Sequence, residues 1–191
     1  MNVLFISHCD FTGNSAILIY SIANELARHG VSSAVAVPLN PASIATCGSH
    51  RFQVFDYAGL VDRGVVFPDG RGPDLVHAWG PREQVRKMTD YATTIYKCPF
   101  VVYLEDHEEV ILENEFPGTT YADLCRLPMG ALDLVVPEHR VHPIRYRDFL
   151  ERAGGVTALI DTLLEFKPAG IELIDMELTS QAGAKSGDGE S

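Results

Sequence analysis

The segment Val3 to Ile6 is apolar at every position, and a turn, SHCDFTGN, leads from it into helical periodicity. A strand with one wet face alternates apolar and polar residues. A strand buried on both faces is apolar throughout, and a parallel sheet covered by helices is what needs it. In the segment that follows, Asn14 stands as a helix N-cap, and Ile19, Ile22, Ala23 and Leu26 recur at helical spacing. Arg28 and His29 suit the negative end of that helix, and Gly30 supplies its stop. A second unbroken run, Ala34 to Val37, ends at Pro38. This β–loop–α–β opening calls for a right-handed crossover between parallel strands.

The pattern recurs. Phe52 to Tyr57 reads as a strand, followed by a Gly-rich stretch up to Pro73, and Leu75 to Ala78 as the next strand. Gly80-Pro81 opens a helix with proline in its first turn, with Val85, Met88, Ala92 and Ile95 as the inner stripe and Pro99 as the end. Phe100 to Leu104 is a further buried strand. The segment 105–137 reads as a loop with one or two short helices, and His142 to Ala153 as helical. Val156 to Leu159, Asp161 to Phe166 and Ile171 to Leu178 read as strand, short helix and last strand. The expectation is a doubly wound, Rossmann-like α/β domain over residues 1–178, with a flexible Gly/Ser/Ala tail over 179–191. With 191 residues the chain has room for one such domain and little else.

Charge and cysteine usage narrow the function classes. Acidic residues outnumber Lys and Arg by 26 to 15, a net charge of -11, so nucleic-acid phosphates would be repelled. A broadly basic membrane-docking surface is disfavoured as well, which leaves a local basic patch as the route to peripheral membrane contact. Cys9, Cys47, Cys98 and Cys125 are far apart and form no CxxC pair, so neither a zinc site nor a redox motif is indicated. Scattered free thiols suit a reducing compartment. The start MNVLFISHCDF lacks a basic leader region and reaches Asp10 too soon for a signal peptide. A cytoplasmic protein without a membrane span is the expectation.

In a doubly wound sheet, ligands bind outside the carboxyl ends of the strands, so the loops after the strands carry the information. The dinucleotide fingerprint GxGxxG is missing, since the first loop has Gly13 alone, and the second strand ends in Pro38-Leu39-Asn40 rather than an acid. GxxxxGK[ST] and GxSxG are missing too, which removes phosphate-loop hydrolysis and the α/β-hydrolase nucleophile. Three loops stand out: HCDFTGNSA at 8–16, HAWGPRE at 77–83 and LEDHEE at 104–109.

At these loops the chain resembles the N-terminal domain of GT-B fold glycosyltransferases, of the retaining group called glycosyltransferase family 4. NVLFISHCDFTGNSAILIYSIANELARHGVSSAVAV looks like that family's first strand, glycine-containing loop, long helix and second strand. DLVHAWGPRE resembles its D-h-V-H-x-H strand, FVVYLEDHEE its h-V-x-T-x-H-D strand and loop, and GGVTALIDTLLEFKP its later D-x-h-h-x-x-S-x-x-h segment. Together these cover about residues 1–175. The resemblance implies an acceptor-binding half that works with a C-terminal donor-binding GT-B domain, on the same parent chain or a separate subunit. Sugar would pass from a nucleotide-sugar to the hydroxyl of a sugar or lipid-linked acceptor, with retention of configuration. The isolated domain would be inactive, and the family needs no cofactor or metal for catalysis. An apolar face left where the second domain would pack could drive self-association.

The resemblance also implies site residues. Gly13 and Asn14 open the long helix, whose N–H groups and positive end could face phosphate and acceptor, or simply form a tight turn and cap. His107, flanked by Asp106 and Glu108, occupies the place where the family's histidine contacts the transferred sugar. A polar group there could stabilise developing charge, and His107 with Asp106 are the candidate catalytic residues, Glu108 a candidate sugar contact. The bland reading is an acidic loop whose histidine caps a helix. His77 matches the family's strand histidine, whereas Trp79 replaces its second one. His77 reads equally as a core residue, and Trp79 either stacks on a sugar ring or packs in the core. Consecutive Asp106, His107 and Glu108 are poorly placed to converge on one metal ion. Arg140, Arg145, Arg147 and Arg152 could face the acidic run Glu105 to Glu115, or meet an anionic acceptor or lipid headgroup, or lie on solvated helix faces. Two other functions remain open from the residues: a non-catalytic binding or regulatory module that kept the fold, and an unrelated α/β enzyme with a small-ligand crevice.

Overall fold

The structure, a computed structural model, describes residues 1–137 and 139–158. Six parallel strands form one sheet: β1 (Asn2–Ser7), β2 (Ser32–Val37), β3 (Gln53–Asp56), β4 (Leu75–Trp79), β5 (Phe100–Leu104) and β6 (Val156–Ala158). Their order is β3-β2-β1-β4-β5-β6, the doubly wound arrangement the apolar runs called for. The helices are α1 (Asn14–Arg28), α2 (Tyr57–Arg63), α3 (Glu83–Tyr96), α4 (Glu108–Glu115), α5 (Tyr121–Arg126), α6 (Met129–Val135) and α7 (Pro143–Arg152), with a 3-10 turn at Pro41–Thr46. The expected short helix at 161–166, the strand at 171–178 and the tail lie outside the described residues.

Both sheet faces are covered, and this is why β1 is buried at all six positions. Leu4, Ile6, Val76, Ala78, Val102 and Leu104 pack with α2, α3 and α7. On the opposite face Val3, Phe5, Val35, Val37, Trp79 and Tyr103 pack under Ala16, Ile19 and Ala23 of α1. A satellite cluster of Leu112, Leu124, Leu132 and Val136 joins α4, α5 and α6.

Local chemistry sets the helix ends, with some differences from the sequence expectation. Gly30 takes φ 75, the left-handed stop after α1. Gly13, not Asn14, is the N-cap of α1, with extended backbone at φ -97 and ψ 151. The helix after β4 begins at Glu83 with Arg82 as its cap, so Pro81 stands outside it. The inner stripe of α3 is Val85, Thr89 and Ala92, while Ile95 is 56% exposed. The stretch after β3, read as loop, contains α2, whose cap Asp56 accepts from Gly59 N–H at 2.6 Å. The segment 105–137 forms three helices rather than one or two.

Candidate functional site

The strand order reverses direction between β1 and β4, the place in a doubly wound sheet outside whose carboxyl ends ligands generally bind. β5 is the next neighbour of β4, and its loop leaves the sheet at the same end. The three loops singled out in the sequence therefore lie on one rim. Side chains stitch them together. Gln84 donates from its amide to the carbonyl of His8 at 2.7 Å, and Gly80 N–H donates to the Tyr103 carbonyl at 2.9 Å. Gly80 sits at φ 83, a backbone only glycine adopts freely. A Cβ there would lie 3.7 Å from His8 Nδ1 and 4.0 Å from Glu108 Oε1.

The first loop carries His8 into this junction. Its Nδ1 lies 3.4 Å from the Trp79 carbonyl oxygen and its Nε2 lies 3.5 Å from Ser15 Oγ. Burial, reinforced by the Arg82 guanidinium, lowers the His8 pKa to about 4, so the imidazole is neutral at ordinary pH. Gly13 closes the same loop through its N–H to the Asp10 carbonyl at 2.9 Å. Space, not φ, fixes its identity: a Cβ would meet Cys9 Sγ at 2.6 Å. Asn14 is the first residue of α1 and is exposed.

Glu105, at the end of β5, accepts hydrogen bonds from Ser15 Oγ in the first turn of α1 and from Trp79 Nε1, the latter at 3.3 Å. Arg82 reaches across from the β4 loop and donates from Nε to Glu108 Oε1 at 3.1 Å and from a terminal nitrogen to Asp106 at 3.4 Å. The Glu108 side chain is 3% exposed and that of Arg82 15%, whereas Asp106 is 45% exposed. Glu108 Oε2 is buried with no hydrogen-bond partner. Burial raises the Glu108 pKa, against the pull of Arg82.

Several expected site residues take other roles. Trp79 is fully buried and its indole lies against Tyr103, with ring centroids 4.1 Å apart, so it cannot stack on a sugar ring. It packs on the α1 face, not under α3. His77 points to the same face, among Phe5, Trp79 and Tyr103, and burial lowers its pKa to about 4. It is half-buried against these rings, with a buried Nε2 that has no hydrogen-bond partner. His107 is the N-cap of α4: its Nδ1 accepts from Val110 N–H at 3.3 Å. The histidine at the junction of the loops is His8, which with Arg82, Gln84 and Glu105 stands outside the expected set of site residues, although the three loops contain His8, Arg82 and Glu105. One signal for His8 was available, since it immediately follows a buried strand at the switch point.

The arginines of the later segment are mostly paired elsewhere. Arg140 pairs with Glu115 of the acidic run. Arg145 pairs with Glu83 and Asp133, Arg147 with Glu151, and Arg152 with Asp148 and Asp90. Among the described residues no group of three His, Cys, Asp or Glu could hold a metal ion, and no helix is long and apolar enough to cross a membrane. One cavity of about 460 Å³ flanks the rim between α3, α6 and α7, and another of about 540 Å³ lies near Gly30 and Phe52, away from the rim chemistry.

No protein-family model matches the chain, and no curated protein matches it. Among solved structures it is similar to HepE of Anabaena in complex with UDP and glucose, at 17% identity and a TM-score of 0.45 over 83% of this chain and 38% of that one. It is also similar to a short-chain dehydrogenase/reductase of Veillonella parvula, at 11% identity and a TM-score of 0.44, over 82% of this chain and 67% of that one. A second Veillonella protein of that type, in complex with NADP, matches at 9% identity and a TM-score of 0.41, over 82% and 68% of the two chains. The chain thus spans 38% of the length of the Anabaena protein. Likenesses this distant assign no function.

Proposed function

We propose that this domain is the acceptor-binding half of a cytoplasmic sugar transferase of the retaining GT-B family-4 type, working with a donor-binding domain. The observation that carries the reading is the convergence of His8, Arg82, Glu105 and Glu108 at the switch point between β1 and β4. What the cluster would bind follows from its charges. The Glu105 carboxylate already occupies the N-terminal turn of α1, where a phosphate would otherwise be drawn. A second anion there is disfavoured, and a neutral, hydroxyl-rich group is favoured, such as the acceptor end of a sugar or lipid-linked saccharide. Donor phosphates then fall to the other domain.

In this reading neutral His8 orients an acceptor hydroxyl beside the Arg82–Glu108 pair. Burial disfavours the charged form of Glu108, and Arg82 opposes that effect. Asp106 lies at the exposed edge of the cluster. A half-cleft needs no enclosed cavity of its own, because its second wall belongs to the partner. The dinucleotide reading finds no support: β2 ends without an acid, and Asp10 of the first loop instead accepts from the N–H groups of Leu39 and Asn40, both at 3.1 Å.

The test is reconstitution. Joined to a family-4 donor-binding domain, the chain should turn over a nucleotide-sugar, and His8→Ala should lower the rate by about a hundredfold, the usual effect of removing one positioned polar group. Absence of turnover in a properly assembled pair, across a wide donor panel, would leave a binding module and remove the enzyme.

A further inference from the structure

At the end of the sheet opposite the rim, a cavity of about 540 Å³ lies under the amino ends of β2 and β3, beside the last turn of α1. That volume suits a small molecule. Its apolar walls are Val31, Phe52, Phe67 and Pro68. The Phe52 ring is fixed from behind by Phe11 and Tyr20, with ring centroids 6.4 and 6.0 Å away.

No carboxylate lines the cavity, and Arg51 brings its one full charge. The Arg51 backbone N–H donates to Asn24 Oδ1 at 3.1 Å, whereas its guanidinium has no ion-pair partner among the described residues. Asp69, next in sequence to Pro68, is turned away and accepts from Asn2 and Arg71, both at 3.0 Å. The carbonyls closing α1 are also taken: Leu26 accepts from the N–H groups of His29 and Val31, and Ala27 from that of Gly30. The negative end of the helix is therefore largely covered.

Ser33, another lining residue, supplies an independent observation. It is 3% exposed, yet its Oγ has no hydrogen-bond partner. It alternates with Val35 and Val37, which face α1, and it stands one step before the Ala34–Gln53 pair, beside Phe52. Its hydroxyl thus lies on the same face as the Phe52 wall. A buried hydroxyl left unpaired is costly unless something meets it.

We infer that this cavity is a second binding site, for a small monocarboxylate with an aromatic or branched apolar body, with Arg51 meeting the carboxylate and Ser33 supplying a hydrogen bond. One guanidinium fork matches one carboxylate in both charge and shape. The body replaces water against Val31, Phe52, Phe67 and Pro68. The site lies at the other end of the strands from the sugar-transfer rim, and its success or failure does not bear on the transferase reading.

Phenylacetate is the probe, with phenethyl alcohol as the neutral counterpart and acetate as the charge without the body. Backbone amide spectra of the full chain are followed through each titration at fixed pH and ionic strength. Phenylacetate should give saturable shifts centred on residues 30–33, 50–53 and 67, with an affinity about fivefold above that of the alcohol, and acetate should give none that saturate. Arg51→Gln, at an exposed position, should weaken binding by about fivefold. Ser33→Ala should weaken it by a similar factor, about fivefold, while the ligand-free chain keeps or gains stability, because the hydroxyl it loses has no partner. Equal affinity for the alcohol, shifts centred elsewhere or absent, or full-strength binding by either variant would overturn the inference. So would a loss of stability in ligand-free Ser33→Ala, which would show the hydroxyl engaged within the fold.

Discussion

Arg82→Ala is expected to destabilise the domain by about 3 kcal/mol at pH 7, near the lower end of what breaking a buried ion pair costs. The guanidinium is the counter-charge of Glu108, whose side chain is 3% exposed and whose Oε2 already lacks a partner. Removing Arg82 leaves that carboxylate buried and uncompensated. The link to Asp106 adds little, because that side chain is 45% exposed. The cost should depend on pH in a defined direction. Burial raises the Glu108 pKa, and loss of Arg82 raises it further, so the penalty is present at high pH and fades as pH falls through that value. Thermal melts should show a drop of about 6–12 °C at pH 7, given the size of the chain. The drop should be smaller at pH 5 and larger at pH 8. The double variant Arg82→Ala with Glu108→Gln should recover most of the loss, since no buried charge remains. Equal losses at pH 5 and pH 8 would show that Arg82 acts through packing alone.

Acid should unfold the domain well before its carboxylates are exhausted. His8 and His77 are each lowered by burial from 6.5 to about 4, His8 with help from Arg82. In the unfolded chain both take a proton near pH 6.5, whereas in the fold they stay neutral until about pH 4. The unfolded state therefore binds more protons throughout that window, and stability falls as pH falls. At about 1.4 kcal/mol per pH unit, each histidine accounts for up to roughly 3 kcal/mol. His142 adds in the same direction, and Glu108, with its raised pKa, offsets part of the loss. Denaturant unfolding from pH 7 to pH 4 should show this slope. His77→Phe should flatten it and raise stability at pH 5, because it removes a buried nitrogen without a hydrogen-bond partner from among Phe5, Trp79 and Tyr103. A slope unchanged by His77→Phe would contradict the assignment.

The sheet was legible because the middle of a strand covered on both faces is mostly apolar. Val3 to Ile6, Ala34 to Val37 and Phe100 to Leu104 therefore announce themselves, and all three are central strands. Gly30 marked the end of α1 for an equally local reason, its left-handed φ. What escaped was short or non-local. Helix α2 has seven residues between Asp56 and Gly64, too few for a periodic stripe, although its aspartate cap was visible. Trp79 looked like a loop aromatic, yet alternation from Leu75 and His77 puts it on the α1 face, where Tyr103 covers it. The site was legible as three loops but not as side chains. Ser15 and Glu105 are 90 residues apart, as are His8 and Trp79 by 71, and only the strand order brings them together. His107 had the right types around it, but the start of α4 claims its ring.

Under the proposed function, the carboxyl rim of β1, β4 and β5 binds a neutral carbohydrate hydroxyl group. Backbone amide spectra of the full chain, titrated with a panel of neutral methyl hexosides and disaccharides, test it directly. Saturable shifts confined to residues 8–15, 80–84 and 105–108, and lost in Glu108→Gln, are the predicted result. Shifts centred elsewhere, or none across the panel, would contradict it.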